Sequence, residues 1–404
     1  MIAWLLISFF VLLFLGVPIA MSLGLSAMGG ILFLGGGSTV TIAQRMFEGM
    51  NSFALLAIPL YTFAGFTMSK GGISKRLMDF CYSIVGHIYG GLAHVNVLSS
   101  MIFAGISGSA VADTAGVSGM FMPEMIRKGY SKNFTVAVTA ISSTIGIIIP
   151  PSIPMVVIAG ICGISTGKLF LGGIIPGILC GLAQMIVSYF LAKKEGVPKE
   201  PGHFTIGPVL HGLWESWPAL LMPIIIVGTI TMGIVSPTEA GVIAVVYGLF
   251  AGGIIYRELK WEDIKFAFAE TVRTSGRIFI VIGAAKLYTV MLTTAGFDKW
   301  VAKTMLGFST NPTVILIMIL LIFFIVTMFM ESIATLTLFM PILYPIALGV
   351  GIDPIVLSVL ITVVIGIGLV TPPVGMCIYV ACDLMDTTVG EVFPTLVPFI
   401  AATF

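Results

Sequence analysis

Residues 145–157 read IGIIIPPSIPMVV, an apolar run fit for lipid with Pro150, Pro151 and Pro154 at its middle. A proline inside a helix removes a backbone donor and clashes with the preceding turn, at about 3 kcal/mol or more. In hydrocarbon the freed carbonyls find no water. Either this stretch lies outside the membrane, or the break is wanted there. The rest of the chain decides: 58% of its residues are hydrophobic and 9% charged, with a mean hydropathy of +1.13, whereas soluble domains carry about 25% charged residues. It is an all-α polytopic membrane protein, and residues 1–404 form one membrane domain in a lipid bilayer. A net charge of +1 gives no reason to expect nucleic acid. Cys81, Cys162, Cys180, Cys377 and Cys382 lie in apolar stretches without metal-site spacing and read as buried small hydrophobes. The first apolar segment lacks the basic start of a signal peptide and reads as a retained helix. AKKEGVPKEPGHFTIGPVLHG (192–212) reads as a loop.

Positive residues favour the cytoplasm. Most of the 19 basic residues fall in five clusters: Lys70/Lys75/Arg76, Arg127/Lys128/Lys132, Lys193/Lys194/Lys199, Arg257/Lys260/Lys265 and Arg273/Arg277. These share one face only if 92–126 is a re-entrant hairpin with its turn near 107–113. By the same logic 311–350 is a hairpin entering from the opposite face, where Arg45, Lys168, Lys299 and Lys303 stand and where the N-terminus lies. Lys286 falls inside a span.

TPPVGMCIYVA (371–381) echoes the opening stretch. One offset of 222 places Pro372-Pro373 on Pro150-Pro151, Ala381 on Ala159, Thr387-Thr388 on Ser165-Thr166 and Pro398 on Pro176. Upstream, DTAGVSGMFMP (113–123) and ESIATLTLFMP (331–341) match at an offset of 218, and LYT recurs at 60–62 and 287–289. Two copies that start on opposite faces make an inverted-topology repeat with two re-entrant hairpins and two broken helices. Such repeats are typical of secondary transporters, where breaks at the midplane leave carbonyls free to coordinate ions. The competing reading is two proline kinks used for packing.

Sodium is a hard cation and takes oxygen ligands. Ser107 and Ser109 with carbonyls around Gly146 and Pro150 make one candidate sodium site. Ser332, Thr335 and Thr337 with carbonyls around Val370, Thr371 and Gly375 make its mirror. Hydroxyls that merely bond their own helix are the alternative. A membrane-buried acid costs about 2.5–3.5 kcal/mol or more at the centre and so points to function. Asp113 and Glu331 qualify, Glu239 in SPTEAG and Lys286 less firmly. Asp113 is also a candidate helix cap, and Lys286 a neutralising or snorkelling cation. CGISTGKL (162–169) departs from a phosphate loop at Cys162 and Leu169, so ATP hydrolysis is not expected. His87, His94, His203 and His211 lack metal-ligand spacing, and no transition metal is expected.

FLGVPIAMSLG, GISGSAVADTAG, IGIIIPPSIPMV, SPTEAGVIAVVYG, FMESIATLTLFMPILYP and GLVTPPVGMCIYVAC together resemble the large membrane subunit of tripartite ATP-independent periplasmic (TRAP) transporters, over essentially the whole chain. The resemblance implies a sodium-coupled elevator importer of the bacterial inner membrane. It also implies a small four-helix membrane subunit and a periplasmic binding protein delivering an organic acid, commonly sialic acid or a C4-dicarboxylate. Residues 77–164 and 298–390, with broken helices at 133–164 and 354–382, would form the transport domain. Residues 1–69 and 167–296 would be scaffold, and 391–404 the start of a last helix that the family usually continues. Ser107, Ser152 and Glu331 are then candidates for the substrate region, joined by Asp113. Glu331 stands where the family usually has Asp. A self-sufficient sodium/anion symporter and an intramembrane enzyme using Asp113 and Glu331 as an acid pair are the rival readings.

Overall fold

The computed structural model describes residues 1–34, 38–197 and 204–404; Lys199 and His203 lie outside them. The described residues are helical throughout, with no strand among them. The first half runs α1 (Ile2–Phe14), α2 (Ile19–Leu34), α3 (Thr39–Met50), α4 (Ala57–Lys70), α5 (Ile73–Val85), α6 (Gly91–Ser107), α7 (Ala110–Arg127), α8 (Lys132–Ser143) and α9 (Ile153–Cys162). It continues through α10 (Thr166–Lys194), α11 (Ile206–Thr231), α12 (Pro237–Phe250) and α13 (Trp261–Thr294). The remainder is α14 (Phe297–Phe308), α15 (Pro312–Thr327), α16 (Ser332–Gly349), α17 (Pro354–Gly368), α18 (Met376–Asp383) and α19 (Val389–Thr403). Helix α10 reaches Lys194 and α11 begins at Ile206, so both ends of the expected 192–212 loop are helical.

Six helical stretches are long and apolar enough to cross a membrane, among them α10, α11 and α13. The 29 residues of α10 span roughly 43 Å at 1.5 Å per residue, more than the hydrocarbon core of about 30 Å. Its buried side carries Gly173, Gly177, Cys180, Gly181, Gln184 and Ser188, while Leu171, Ile175, Leu179, Leu182, Ile186 and Phe190 are exposed. Small residues inward and large apolar residues outward is the pattern of a lipid-facing helix.

The backbone breaks where local chemistry demands it. Helix α6 stops at Ser107, Gly108 turns left-handed (φ 65°), and the Ser109 hydroxyl caps α7 by accepting from Ala112 N. Between α15 and α16 the turn ends at Glu331, whose carboxylate accepts from Ile333 N (2.9 Å) and Ala334 N (3.3 Å). Helix α8 tightens into a 3-10 turn over Thr144–Ile147 ahead of the prolines and resumes as α9, capped by Ser152. Helix α17 stops at Gly368 and α18 starts after Gly375 (φ 47°). Both proline pairs are joined by cis peptides.

Helix α10 serves as a ruler for the direction of the two broken helices. The start of α8 lies at the far end of α10, where the Ser131 hydroxyl donates to Glu195 (3.0 Å). The start of α17 lies at the near end, with Ile355 and Val359 against Gly172. The broken helices therefore run in opposite senses, as an inverted repeat requires. The halves also interlock: α7 packs on α18, and α16 packs on α9. The recurring LYT has a matching use in each copy. Tyr61 of α4 donates to the Pro237 carbonyl (2.8 Å) and Tyr288 of α13 to the Leu5 carbonyl (2.8 Å).

Candidate transport site

Each hairpin tip is tied to the break of its own half by one backbone hydrogen bond. Ile153 N, just past the first proline pair, donates to the Gly108 carbonyl (3.2 Å), and Val374 N, just past the second, donates to the Met328 carbonyl (3.0 Å). Around these ties the candidate residues collect.

In the first half, Asp113 is fully buried in the first turn of α7. The Ser107 hydroxyl donates to its Oδ1 and accepts from Ser109 N (3.3 Å). The Oδ2 atom has no hydrogen-bond partner and faces Gly146 in the 3-10 turn, where a Cβ would overlap it. The Pro150 carbonyl points toward Gly105 of α6. Ser152 is buried and donates to the Ile147 carbonyl (2.5 Å) while accepting from Met155 N (3.3 Å), which closes the break on itself. Ser107, Asp113 and Gly146 thus come together, with Ser109 and Pro150 at the edges and Ser152 one step along the break.

The second half is arranged differently. Glu331 caps α16, with Ser332 donating to its other oxygen (2.7 Å), whereas Asp113 sits a turn inside its helix beyond the cap Ser109. The superposed acids therefore occupy different helical positions. Thr335, Thr337 and Thr371 each donate to the carbonyl four residues back (3.1, 2.7 and 2.8 Å), Thr371 from just past the end of α17. Val370 is buried, and Gly375 opens α18. Among these side chains the hydrogen bond is between the Ser332 hydroxyl and the Glu331 carboxylate; the threonines bond backbone.

The two halves meet at a residue that the sequence had marked only as a small hydrophobe. Buried Cys377 of α18 stands beside Thr114 of α7, with both Asp113 and Glu331 in its neighbourhood. No local pattern signals this, because the 222 offset sets Cys377 on Met155. Two weaker candidates leave the site. Glu239 forms a capping box with Ser236: Ser236 N donates to its carboxylate (2.7 Å) and its own N–H to the Ser236 hydroxyl (3.3 Å). S-P-T-E carries that signal in plain view. Lys286 lies on α13 where α3 crosses it, its Cβ against Gly49, and its charge acts on Glu48.

Helical hairpins inserted against oppositely directed broken helices, with a buried acid at one tip, define a multi-pass membrane transporter of the inverted-repeat kind. The chain belongs to the family described as tripartite ATP-independent periplasmic transporter, DctM component, whose model matches residues 6–404. It is similar to the isethionate TRAP transporter permease protein DctMQ of Oleidesulfovibrio alaskensis, at 37% identity over 97% of this chain and 62% of that protein. It is also similar to the sialic acid TRAP transporter large permease protein SiaM of Vibrio cholerae, at 36% identity over 96% of this chain and 91% of that one. A third relative is the C4-dicarboxylate TRAP transporter large permease protein DctM of Pseudomonas aeruginosa, at 36% identity over 94% and 88%. Among solved structures, the Alcanivorax borkumensis YdaH transporter shares the fold, with a TM-score of 0.61 at 14% identity over 89% of this chain and 84% of that one. As a member of the family the chain is an inner-membrane transporter component and not an enzyme.

Proposed function

We propose that this chain is the transport subunit of a sodium-coupled importer for an organic acid of the sialic acid or C4-dicarboxylate class. A periplasmic binding protein delivers the acid and a small four-helix membrane subunit completes the assembly. The observation that carries the coupling is the Asp113 Oδ2 atom, a buried carboxylate oxygen with no donor, turned toward the break at Gly146. An uncompensated charge at that depth is costly, and a hard cation bound there by Asp113, Ser107, Ser109 and carbonyls near Gly146 and Pro150 would remove the cost. A second sodium would use the region of Ser332, Thr335, Thr337 and the carbonyls from Val370 through Thr371 to Gly375. Substrate would sit between the tips, near Ser107, Ser152, Asp113 and Glu331, where the positive end of the α9 dipole would favour a carboxylate.

Binding of sodium would order the tips against the breaks. The hairpins and broken helices of 77–164 and 298–390 would then carry substrate across as an elevator, against a scaffold made of 1–69 and 167–296. The test is uptake of radiolabelled sialic acid and, in parallel, a C4-dicarboxylate into proteoliposomes under an inward sodium gradient, with and without the binding protein. Accumulation that needs both sodium and binding protein is expected. Accumulation with sodium alone would overturn the tripartite reading in favour of a self-sufficient symporter.

A further inference from the structure

The two halves of the repeat differ at the joints through which α5 and α14 depart. Each of these helices follows a left-handed glycine, Gly72 (φ 79°) before α5 and Gly296 (φ 82°) before α14. Among the described residues no ion pair holds α14. The joint of α5 is fastened on several sides. Arg76 donates to the Glu258 carboxylate (2.7 Å) and to the Gly72 carbonyl (2.8 Å), and its guanidinium stacks over the Tyr256 ring at 4.2 Å. Its own carbonyl accepts from Ser216 of α11 (2.9 Å), and Tyr256 donates to the Glu215 carbonyl (2.9 Å).

The acceptor side is itself an irregular segment. Helix α12 ends in a π turn over Ala251–Ile255. The Gly252 Cα faces Gly71 closely enough to crowd any side chain, and the Gly252 carbonyl takes both Glu258 N and Leu259 N (3.1 Å each). A Cβ at Gly72 would overlap the Glu258 carboxylate. The fit between this glycine pair and the π turn is what allows the ion pair to close over the joint.

We infer that Arg76 and Glu258 form a latch that holds α5, and with it the first hairpin and broken helix, against α11 and the α12–α13 turn, and that opening the latch limits the rate of the transport cycle. The inference rests on the elevator reading proposed above. An exposed ion pair alone is worth little. Here the arginine is only 26% exposed and is held by an ion pair, a ring and a backbone carbonyl at once. Glu215, next to the Ser216 whose hydroxyl bonds the Arg76 carbonyl, is a second acid in the same neighbourhood, with its own carboxylate against His211 (3.3 Å).

The test uses the full chain, reconstituted as for uptake, in four forms: wild type, Glu258→Gln, Arg76→Glu and the swapped pair Arg76→Glu/Glu258→Arg. Amide hydrogen exchange over 73–85 reads the latch without reference to transport, and sodium-driven uptake of the acid that the wild type accumulates reads its consequence. The single variants are expected to speed exchange at the start of α5 and to raise maximal uptake about threefold, a change of roughly 0.65 kcal/mol in barrier, at unchanged half-saturating sodium. The swapped pair is expected to return both toward wild type. Exchange unchanged in the single variants, or faster exchange with uptake unmoved or reduced, would overturn the latch. A wild type that takes up neither acid would instead sink the transport reading and the rate role with it, leaving exchange to decide whether the joint is pinned at all.

Discussion

The Cα of Gly146 faces the one oxygen of Asp113 that no hydrogen-bond donor reaches. A methyl group there would force the carboxylate from its place. Gly146→Ala is expected to cost about 1–3 kcal/mol by overpacking and to lower sodium-driven uptake about tenfold or more. Gly116, with open space beside it on α7, supplies the control: Gly116→Ala should leave uptake within about twofold of wild type.

Asp113→Asn keeps an oxygen to accept from Ser107 and removes the charge. Without sodium the variant should melt no lower than wild type, because an uncompensated buried anion is itself a burden. Sodium at a hundred times its dissociation constant stabilises a single-site protein by about 2.7 kcal/mol. Melting curves with and without sodium should show that stabilisation in the wild type and its reduction in Asp113→Asn.

Glu331 combines a helix cap with a half-buried charge, and three substitutions separate the roles. Glu331→Asp should retain both stability and uptake. Glu331→Ser, still an able cap, should keep the melting temperature and lose uptake. Glu331→Ala should lose uptake and about 1 kcal/mol of stability.

The tyrosines of the two LYT copies should behave as equivalents. Tyr61→Phe and Tyr288→Phe each remove the one hydrogen bond that a buried tyrosine donates and should destabilise by about 1 kcal/mol. The two bonds lie on different helices with no shared partner, so the double variant should show the sum in denaturation monitored by tryptophan fluorescence.

Glu239 should prove structural. Glu239→Ala is expected to lower the melting temperature slightly through loss of its share of the capping box while uptake per folded molecule stays unchanged. Glu239→Gln should recover most of the stability.

What the sequence made legible was whatever depends on neighbours along the chain. The proline pairs mark the two breaks because a missing donor acts within one turn, and Gly108 with Ser109 marks a hairpin tip for the same reason. The basic clusters indicated the opposite senses of the two copies. What stayed hidden depends on residues far apart in sequence. That α7 rests on α18, that Cys377 stands beside Thr114, and that Lys286 lies under α3 at Gly49 all follow from how finished helices meet. The offset of 218 paired Asp113 with Glu331 correctly as acids. It could not reveal that one sits inside its helix and the other ahead of it, because the tip of the second hairpin is a longer turn.

The interlocking of the halves has a consequence for how the protein is made. Helix α7 leans on α18, so the ribosome must synthesise more than 260 further residues after Asp113, through Cys377, before the surroundings of that acid are complete. Until then the carboxylate lacks the cover that α18 gives it, and a chain truncated before α18 is expected to be degraded faster than the full one in a pulse-chase. The first half is in this sense a client of the second: its insertion comes early in translation and its maturation late.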